Sequence, residues 1–224
     1  MSEEHSDAEA VSAGTSPVGA VDASAEGGDI HVVDDDPAMR DSLTWLMRSR
    51  GLTALTWESG EAFLAGADHA RPAAVVLDIR MAGLSGLDVL EELRRRNTVF
   101  VVIMLTGHGD VPLAVQSLKQ GAADFIEKPF DPNELVDRLV VALAESRRRL
   151  GAARAAASVQ ERLQSLSTRE REVMDLVLDG FLNKQIADRL GITMRTVEVH
   201  RARLFDKFAV RSAVELAQAL ARVR

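Results

Sequence analysis

Four strand-like runs in the first two thirds of this chain each stop at a polar residue, two of them at aspartate, one at a hydroxyl and one at an ammonium. HVV runs into Asp34 and Asp35, AAVVL into Asp78, VFVVIML into Thr106 and DFIE into Lys128. Unbroken apolar runs of this length suit strands buried on both faces, the pattern of a parallel sheet covered by helices. In an open sheet of that kind the carboxyl ends of the strands share one edge, and ligands bind there at the switch point of strand order. The sequence thus predicts three acids, a hydroxyl and an ammonium at one mouth.

Between the runs lie stretches with helix start and stop signals. The pattern predicts strands over 30–33, 52–57, 73–77, 99–105 and 123–126, and helices over 37–50, 59–66, 86–96, 111–120 and 131–148. Asp36 with Pro37 and Asp131 with Pro132 start helices, and Gly51 and Gly121 end them. Strands and helices in strict alternation predict an α/β fold with a doubly wound parallel sheet.

Three acids at one edge repel unless a cation sits among them, and an all-oxygen set suits a hard divalent ion such as Mg2+. A metal that keeps several waters also takes phosphate oxygens, and a carboxylate can attack a phosphoryl group to give an aspartyl phosphate. On this reading Asp78 is the nucleophile, Asp34 and Asp35 hold Mg2+, and Lys128 and Thr106 serve the remaining oxygens. The plainer alternatives are helix capping for Asp34 and Asp35, a loop acid at Asp78, a strand-end hydroxyl at Thr106 and a solvated charge at Lys128.

The strings VDDDPAMRDSL (33–43), VVLDIRMAGLSGLDVL (75–90) and MLTGHGDVPLAVQSLKQGAADFIEKPF (104–130) together resemble the receiver domains of bacterial two-component response regulators. The resemblance covers about residues 29 to 148. It implies a (βα)5 sheet of order 2-1-3-4-5 and phosphorylation of Asp78 by a partner histidine kinase. It makes Asp34 and Asp35 the metal-binding acids and the backbone carbonyl of Arg80 a further protein ligand beside Asp78. Thr106 matches the switch hydroxyl, Phe125 the switch aromatic and Lys128 the phosphate-contacting lysine, although Phe125 next to Ile126 also reads as plain core. The chain departs from the pattern at Ala82, where most receivers carry proline, which leaves the loop through Gly83 freer. Arg80 and His108 stand at variable positions near the phosphoryl group, where a long Arg either shields the site from water or faces solvent. The histidines lack metal-ligand spacing and there are no cysteines.

The last third is helical throughout. Ser167 and Glu170 form a capping box for a helix that Gly180 ends, Asn183 caps a short helix ended by Gly191, Thr193 caps a longer one to about Phe208, and Ser212 opens a fourth. A short helix, a tight turn and a second helix make a helix-turn-helix. The run from LSTRERE to RLFDKF (166–208) resembles the output domain of LuxR or NarL type, and within it FixJ-like regulators, over about residues 160 to 222. Val197, His200, Leu204 and Phe208 recur at helical spacing and face the core. His200 is read as a half-buried core residue in preference to a base contact. Arg195, Thr196, Glu198, Val199 and Ala202 then face the major groove, with Lys184, Arg201, Arg203 and Lys207 placed for phosphates.

Charge divides the chain in the same places. Residues 1–28 carry six acids and no Lys or Arg, residues 29–150 nineteen acids against fourteen bases, and residues 151–224 nine acids against thirteen bases. Only the last part is basic, the footprint of a nucleic-acid contact. Residues 1–28 have neither periodicity nor aromatics and read as a disordered tail. Residues 29–148 read as the receiver, 149–160 as a linker that either continues the preceding helix or acts as a semi-rigid spacer, and 161–224 as the DNA-binding domain. No run approaches the roughly 18 apolar residues of a membrane span, and the N-terminus lacks a signal pattern. A soluble, cytoplasmic protein without cysteine is expected.

The expected function is transcriptional regulation through a phosphorelay. A histidine kinase phosphorylates Asp78, the receiver dimerises through the face formed by helix 111–120, strand 123–126 and helix 131–148, and the homodimer binds double-stranded DNA, with RNA polymerase a further candidate partner. No enzymatic activity of its own is expected. Two alternatives share residues with this reading. An aspartyl-nucleophile phosphohydrolase would usually carry a second Asp at the position of Arg80, and a phosphorylation-independent regulator would not need all five receiver residues.

Overall fold

The computed structural model describes residues 29–107 and 111–221. The expected tail at 1–28 and His108 lie outside them. Strands β1 (Asp29–Val33), β2 (Ala54–Trp57), β3 (Ala73–Asp78), β4 (Val101–Thr106) and β5 (Asp124–Glu127) form one parallel sheet in the order β2-β1-β3-β4-β5. Every residue of β3 and β4 is buried, as the apolar runs require, whereas edge strand β2 is half-exposed. Helices α1 (Pro37–Ser49) and α5 (Pro132–Gln164) cover one face, where Leu43, Met47, Leu135 and Leu139 meet Ile30, Val32 and Ile103. Helices α2 (Gly60–Gly66), α3 (Gly86–Arg95) and α4 (Val111–Lys119) cover the other, where Phe63, Val89 and Leu93 meet Val33, Val75 and Met104. Ser146, fully buried on α5, accepts from the Ala73 amide at 2.9 Å and donates to the Val99 carbonyl at 2.7 Å, which pins α5 across the starts of β3 and β4.

The linker is resolved in favour of helix. α5 runs unbroken for 33 residues to Gln164, well past the expected end at 148. None of residues 147–158 is buried, so the extension is held by propensity. It is rich in alanine, contains no proline, and grows from a turn already anchored on the sheet, so it bears no nucleation penalty. Its far end is tertiary again: Val159 and Leu163 enter the core of the output domain, and the Arg162 guanidinium donates to the Phe208 carbonyl at 2.6 Å.

That domain consists of α6 (Thr168–Leu178), α7 (Asn183–Leu190), α8 (Met194–Phe208) and α9 (Ala213–Ala221) around Val173, Val177, Ile186, Val197, Leu204, Phe208 and Leu216. Gly191 ends α7 in the left-handed conformation, φ 64°, which sets the tight turn into α8. The start of α7 differs from expectation. Asn183 is its first residue, and the cap position falls on Leu182, whose amide is satisfied by the Gln185 side chain at 2.9 Å.

Glu170 of the α6 capping box does more than cap. Its buried carboxylate accepts from the Lys207 ammonium at 2.7 Å and from the Ser167 amide at 2.9 Å, and these contacts, Lys207 first, hold its carboxyl down to about 2. A carboxyl depressed in the folded state stabilises fully above its unfolded value and loses that contribution as pH falls toward the folded one. Glu170→Ala is therefore expected to destabilise the output domain by about 1 to 2 kcal/mol at neutral pH, because it removes the acceptor of the Ser167 amide and the anionic partner of Lys207, whose one-third-exposed ammonium keeps the Ser165 carbonyl. The loss should shrink between pH 4.5 and 2, and a denaturant midpoint followed against pH checks both points.

Candidate functional site

The carboxyl ends of β1, β3 and β4 bring the expected residues to one edge. Register pairs Asp78 with Leu105, so Asp78 and Thr106 end neighbouring strands, and Thr106 in turn pairs with Glu127, one residue before Lys128. Asp34, Asp78 and Thr106 are buried, at 2%, 7% and 2% exposure, while Asp35 stands exposed on the rim. The Lys128 ammonium bridges the two buried acids, 2.9 Å from Asp34 Oδ2 and 2.6 Å from Asp78 Oδ1. Lys128 is placed by its own amide, which donates to the Thr106 carbonyl at 2.8 Å, and is followed by a cis bond to Pro129.

The remaining oxygens are also engaged. Asp34 Oδ1 accepts from the Asp36 amide and Asp78 Oδ2 from the Arg80 amide, each at 2.9 Å, and Asp35 Oδ2 accepts from the Ala82 amide at 3.0 Å. Asp36 makes the α1 cap, accepting from Ala38 at 2.9 Å, which leaves Asp34 and Asp35 for the site. Sequence reasoning did not find Arg40, whose guanidinium donates to the Asp34 carbonyl at 2.7 Å, or Glu61, which accepts from the Leu84 amide at 2.9 Å. No local pattern marks either, since each reaches its partner from another element. Arg80 is exposed, and Phe125 is half-buried against the core beneath α3 and α4.

Burial pushes the Asp78 carboxyl up from its ordinary value; the Lys128 ammonium opposes the rise and the Asp34 charge adds to it. For Lys128 burial acts the other way, but its hydrogen bonds to Asp78 and Asp34 outweigh it and hold the ammonium above its usual range. The result is a charged lysine inside an acidic mouth, the arrangement required where negative charge is to be received. The donor set of Asp34, Asp35, Asp78 and the Arg80 carbonyl has the oxygen chemistry for a hard divalent cation. Among the described residues, however, no group of three such side chains is arranged to hold one, because Lys128 stands between two acids and Asp35 is turned to the loop.

Residues 30–140 match the response regulator receiver domain and residues 164–220 the luxR family of bacterial regulatory proteins. The chain belongs to the two-component response regulators. It is 51% identical over 191 residues to the C4-dicarboxylate transport transcriptional regulatory protein DctR of Rhodobacter capsulatus, covering 84% of this chain and 97% of that one. To the transcriptional regulatory protein FixJ of Azorhizobium caulinodans it is 44% identical, covering 84% and 89%. The solved response regulator StyR superposes with a TM-score of 0.80 at 34% identity over 87% of this chain and 98% of that one. Full-length FixJ from B. japonicum gives 0.53 at 39% identity over 88% and 97%. This response regulator is thus a DNA-binding transcriptional regulator of FixJ and DctR type, not an enzyme, with a sensor kinase and DNA as the classes of partner that such a protein implies.

In the output domain of the response regulator, Arg195, Glu198, Val199, Ala202 and Arg203 are exposed on α8, with Thr196 and Arg201 half-exposed and Lys184 exposed on α7. Val197, Leu204 and Phe208 are buried, and His200 is half-buried with its Nδ1 enclosed, as read. Arg195 and Glu198 form an ion pair at 3.5 Å, and Arg201 lies over the Phe205 ring at 5.4 Å. Lys207 is placed otherwise than expected. Its ammonium contacts Glu170 and the Ser165 carbonyl, on the side of α8 turned to α6, and is withdrawn from the phosphate set.

Proposed function

We propose that Asp78 is the phosphoacceptor of this regulator and that its phosphorylation drives homodimerisation and promoter binding. One observation carries the reading: Lys128 bridges Asp34 and Asp78 inside a mouth that the fold builds from three strand ends. An Asp78 oxygen attacks the phosphorus held by the kinase histidine, the P–N bond breaks, and its electron pair returns to the imidazole. Lys128 then transfers its contact to a phosphoryl oxygen. The Thr106 hydroxyl, which now donates to the Gly107 carbonyl at 3.1 Å, turns to another, and Phe125 moves inward behind it. Mg2+, held by Asp34, Asp35, Asp78 and the Arg80 carbonyl, supplies neutralisation of the phosphoryl charge when bound.

The face of α4, β5 and α5 supports the dimer. It exposes the apolar side chains of Val115, Leu118 and Val141, with Val141 69% exposed and beside Asp124 and Ala123 at the β5 edge. A dimer sets two α8 helices for successive half-sites. Arg195, Thr196, Glu198, Val199 and Ala202 read bases, while Lys184, Arg201 and Arg203 hold phosphates. Such a role places the protein in the cytoplasm, beside DNA and RNA polymerase.

The test is DNA binding and sedimentation with and without a small acyl phosphate and Mg2+. Phosphorylation should bring the dimer and tighter binding together; equal binding in both states would sink the reading in favour of a phosphorylation-independent regulator. Within α8, Glu198→Ala should relax preference at one base pair, with non-specific affinity unchanged or higher, because an acid facing DNA repels phosphates unless it reads a base or orients Arg195. Selection from a randomised site library reads the difference, and a uniform loss on all sequences would mark Glu198 as structural.

A further inference from the structure

The loop between β3 and α3 is held at alternate amides. Arg80 N donates to Asp78 at 2.9 Å, Ala82 N to Asp35 at 3.0 Å, Leu84 N to Glu61 at 2.9 Å and Gly86 N to the Ile79 carbonyl at 3.0 Å. Three of the four acceptors are carboxylates, and two of those belong to the acidic mouth. Gly83 takes φ +78° between the second and third anchors, where a Cβ would collide with the Glu61 carboxylate. The loop conformation is therefore defined by where these carboxylates lie. Of the three site acids, Asp34 and Asp78 share Lys128, whereas Asp35 on the rim is turned 47 residues along the chain to Ala82. With Asp35 in that position the three acids do not converge on one point.

We propose that the Ala82 amide is a latch on Asp35, which holds the carboxylate on the loop in the cation-free receiver and opposes its recruitment to a cation. This rests on the reading of Asp34, Asp35 and Asp78 as the cation-holding acids. Loading the cation draws Asp35 off the amide, and the second of the loop's four anchors is released as the site fills. Proline, which has no N–H, cannot make the latch, so this property depends on the residue at position 82. Ala82 is a positioning residue in this scheme, acting only through Asp35.

Calorimetric titration of the full chain with Mg2+ tests it. Ala82→Pro removes the donor and should tighten Mg2+ binding by about three- to tenfold, the range of one net hydrogen bond. Ala82→Gly keeps the donor and should bind within about twofold of wild type on the same scale. Unchanged or weaker binding by the proline variant overturns the latch, as does equal tightening by the glycine variant, which would trace the effect to loop freedom. A second readout needs no variant: hydrogen exchange at the Ala82 amide should accelerate as Mg2+ saturates, and protection that does not change overturns the proposal. Asp35→Asn separates the two ideas. If that variant binds Mg2+ like wild type, the cation assignment fails; if it binds weakly while the proline variant matches wild type, the latch alone fails.

Discussion

Replacing Asp78 with Asn is expected to abolish phosphoryl incorporation from a small acyl phosphate while the receiver stays folded. The amide has no anionic oxygen to attack phosphorus, which removes the reaction outright. Its shape is that of the carboxylate, so Lys128 keeps Asp34 as a partner and the packing beneath β3 is untouched. The variant does place an NH2 against one of two donors, Lys128 Nζ or the Arg80 amide, at a cost of about 1 kcal/mol. Removing a buried charge whose carboxyl burial already pushes up offsets part of that. Intact-protein mass spectrometry and a thermal melt read the two quantities, and an adduct that persists on the variant means another residue accepts the phosphoryl group.

Lys128→Ala should have the largest effect on stability and also break signalling. Without the ammonium, Asp34 and Asp78 are left as neighbouring carboxylates at 2% and 7% exposure. Removing one partner of a buried ion pair costs about 3 to 5 kcal/mol at neutral pH. The sign with pH follows from Asp78: burial already pushes its carboxyl up and Lys128 opposes the rise, so without the ammonium it rises further and the variant regains stability as pH falls through that raised range and Asp78 becomes neutral. Mg2+ should also restore stability by replacing the missing charge. Some phosphorylation should remain, since Asp78 is intact, but phosphodonor should no longer produce the dimer because nothing ties the phosphoryl group to the segment after β5. Urea midpoints at several pH values with sedimentation after phosphodonor check both halves. A variant as stable as wild type that still dimerises would make Lys128 a solvated charge.

The acidic mouth was legible from sequence for a reason of topology. Parallel strands end at a common edge, so a polar residue at the end of an apolar run is placed by the run itself, and Asp34, Asp78 and Thr106 needed no long-range information. The same holds for the caps at Asp36, Ser167 and Thr193, whose partners lie two or three residues away. The face of α8 was legible too, because burial of Val197, Leu204 and Phe208 fixes by helical period which residues point out.

Lys207 shows where that logic stops. It stands at a spacing that permits a phosphate contact, and only the packing of α6 against α8 put the Glu170 carboxylate, 37 residues away, beside its ammonium. The bridge from Lys128 to Asp34 spans 94 residues and the latch from Ala82 to Asp35 spans 47. Neither has a local signature, because a carboxylate rotamer is chosen by which donors the fold brings near.

The length of α5 was open for the opposite reason. None of residues 147–158 is fully buried, so no apolar period reports whether they form helix or spacer, and both family matches leave residues 141–163 uncovered. By itself the sequence determined the alternating sheet, its acidic mouth and the outward face of α8, since local periodicity and strand ends encode them. Tertiary structure alone decided which donor each acid takes, which carboxylate Lys207 pairs with and how one helix of 33 residues joins the two cores, because those depend on contacts between segments that no sequence spacing records.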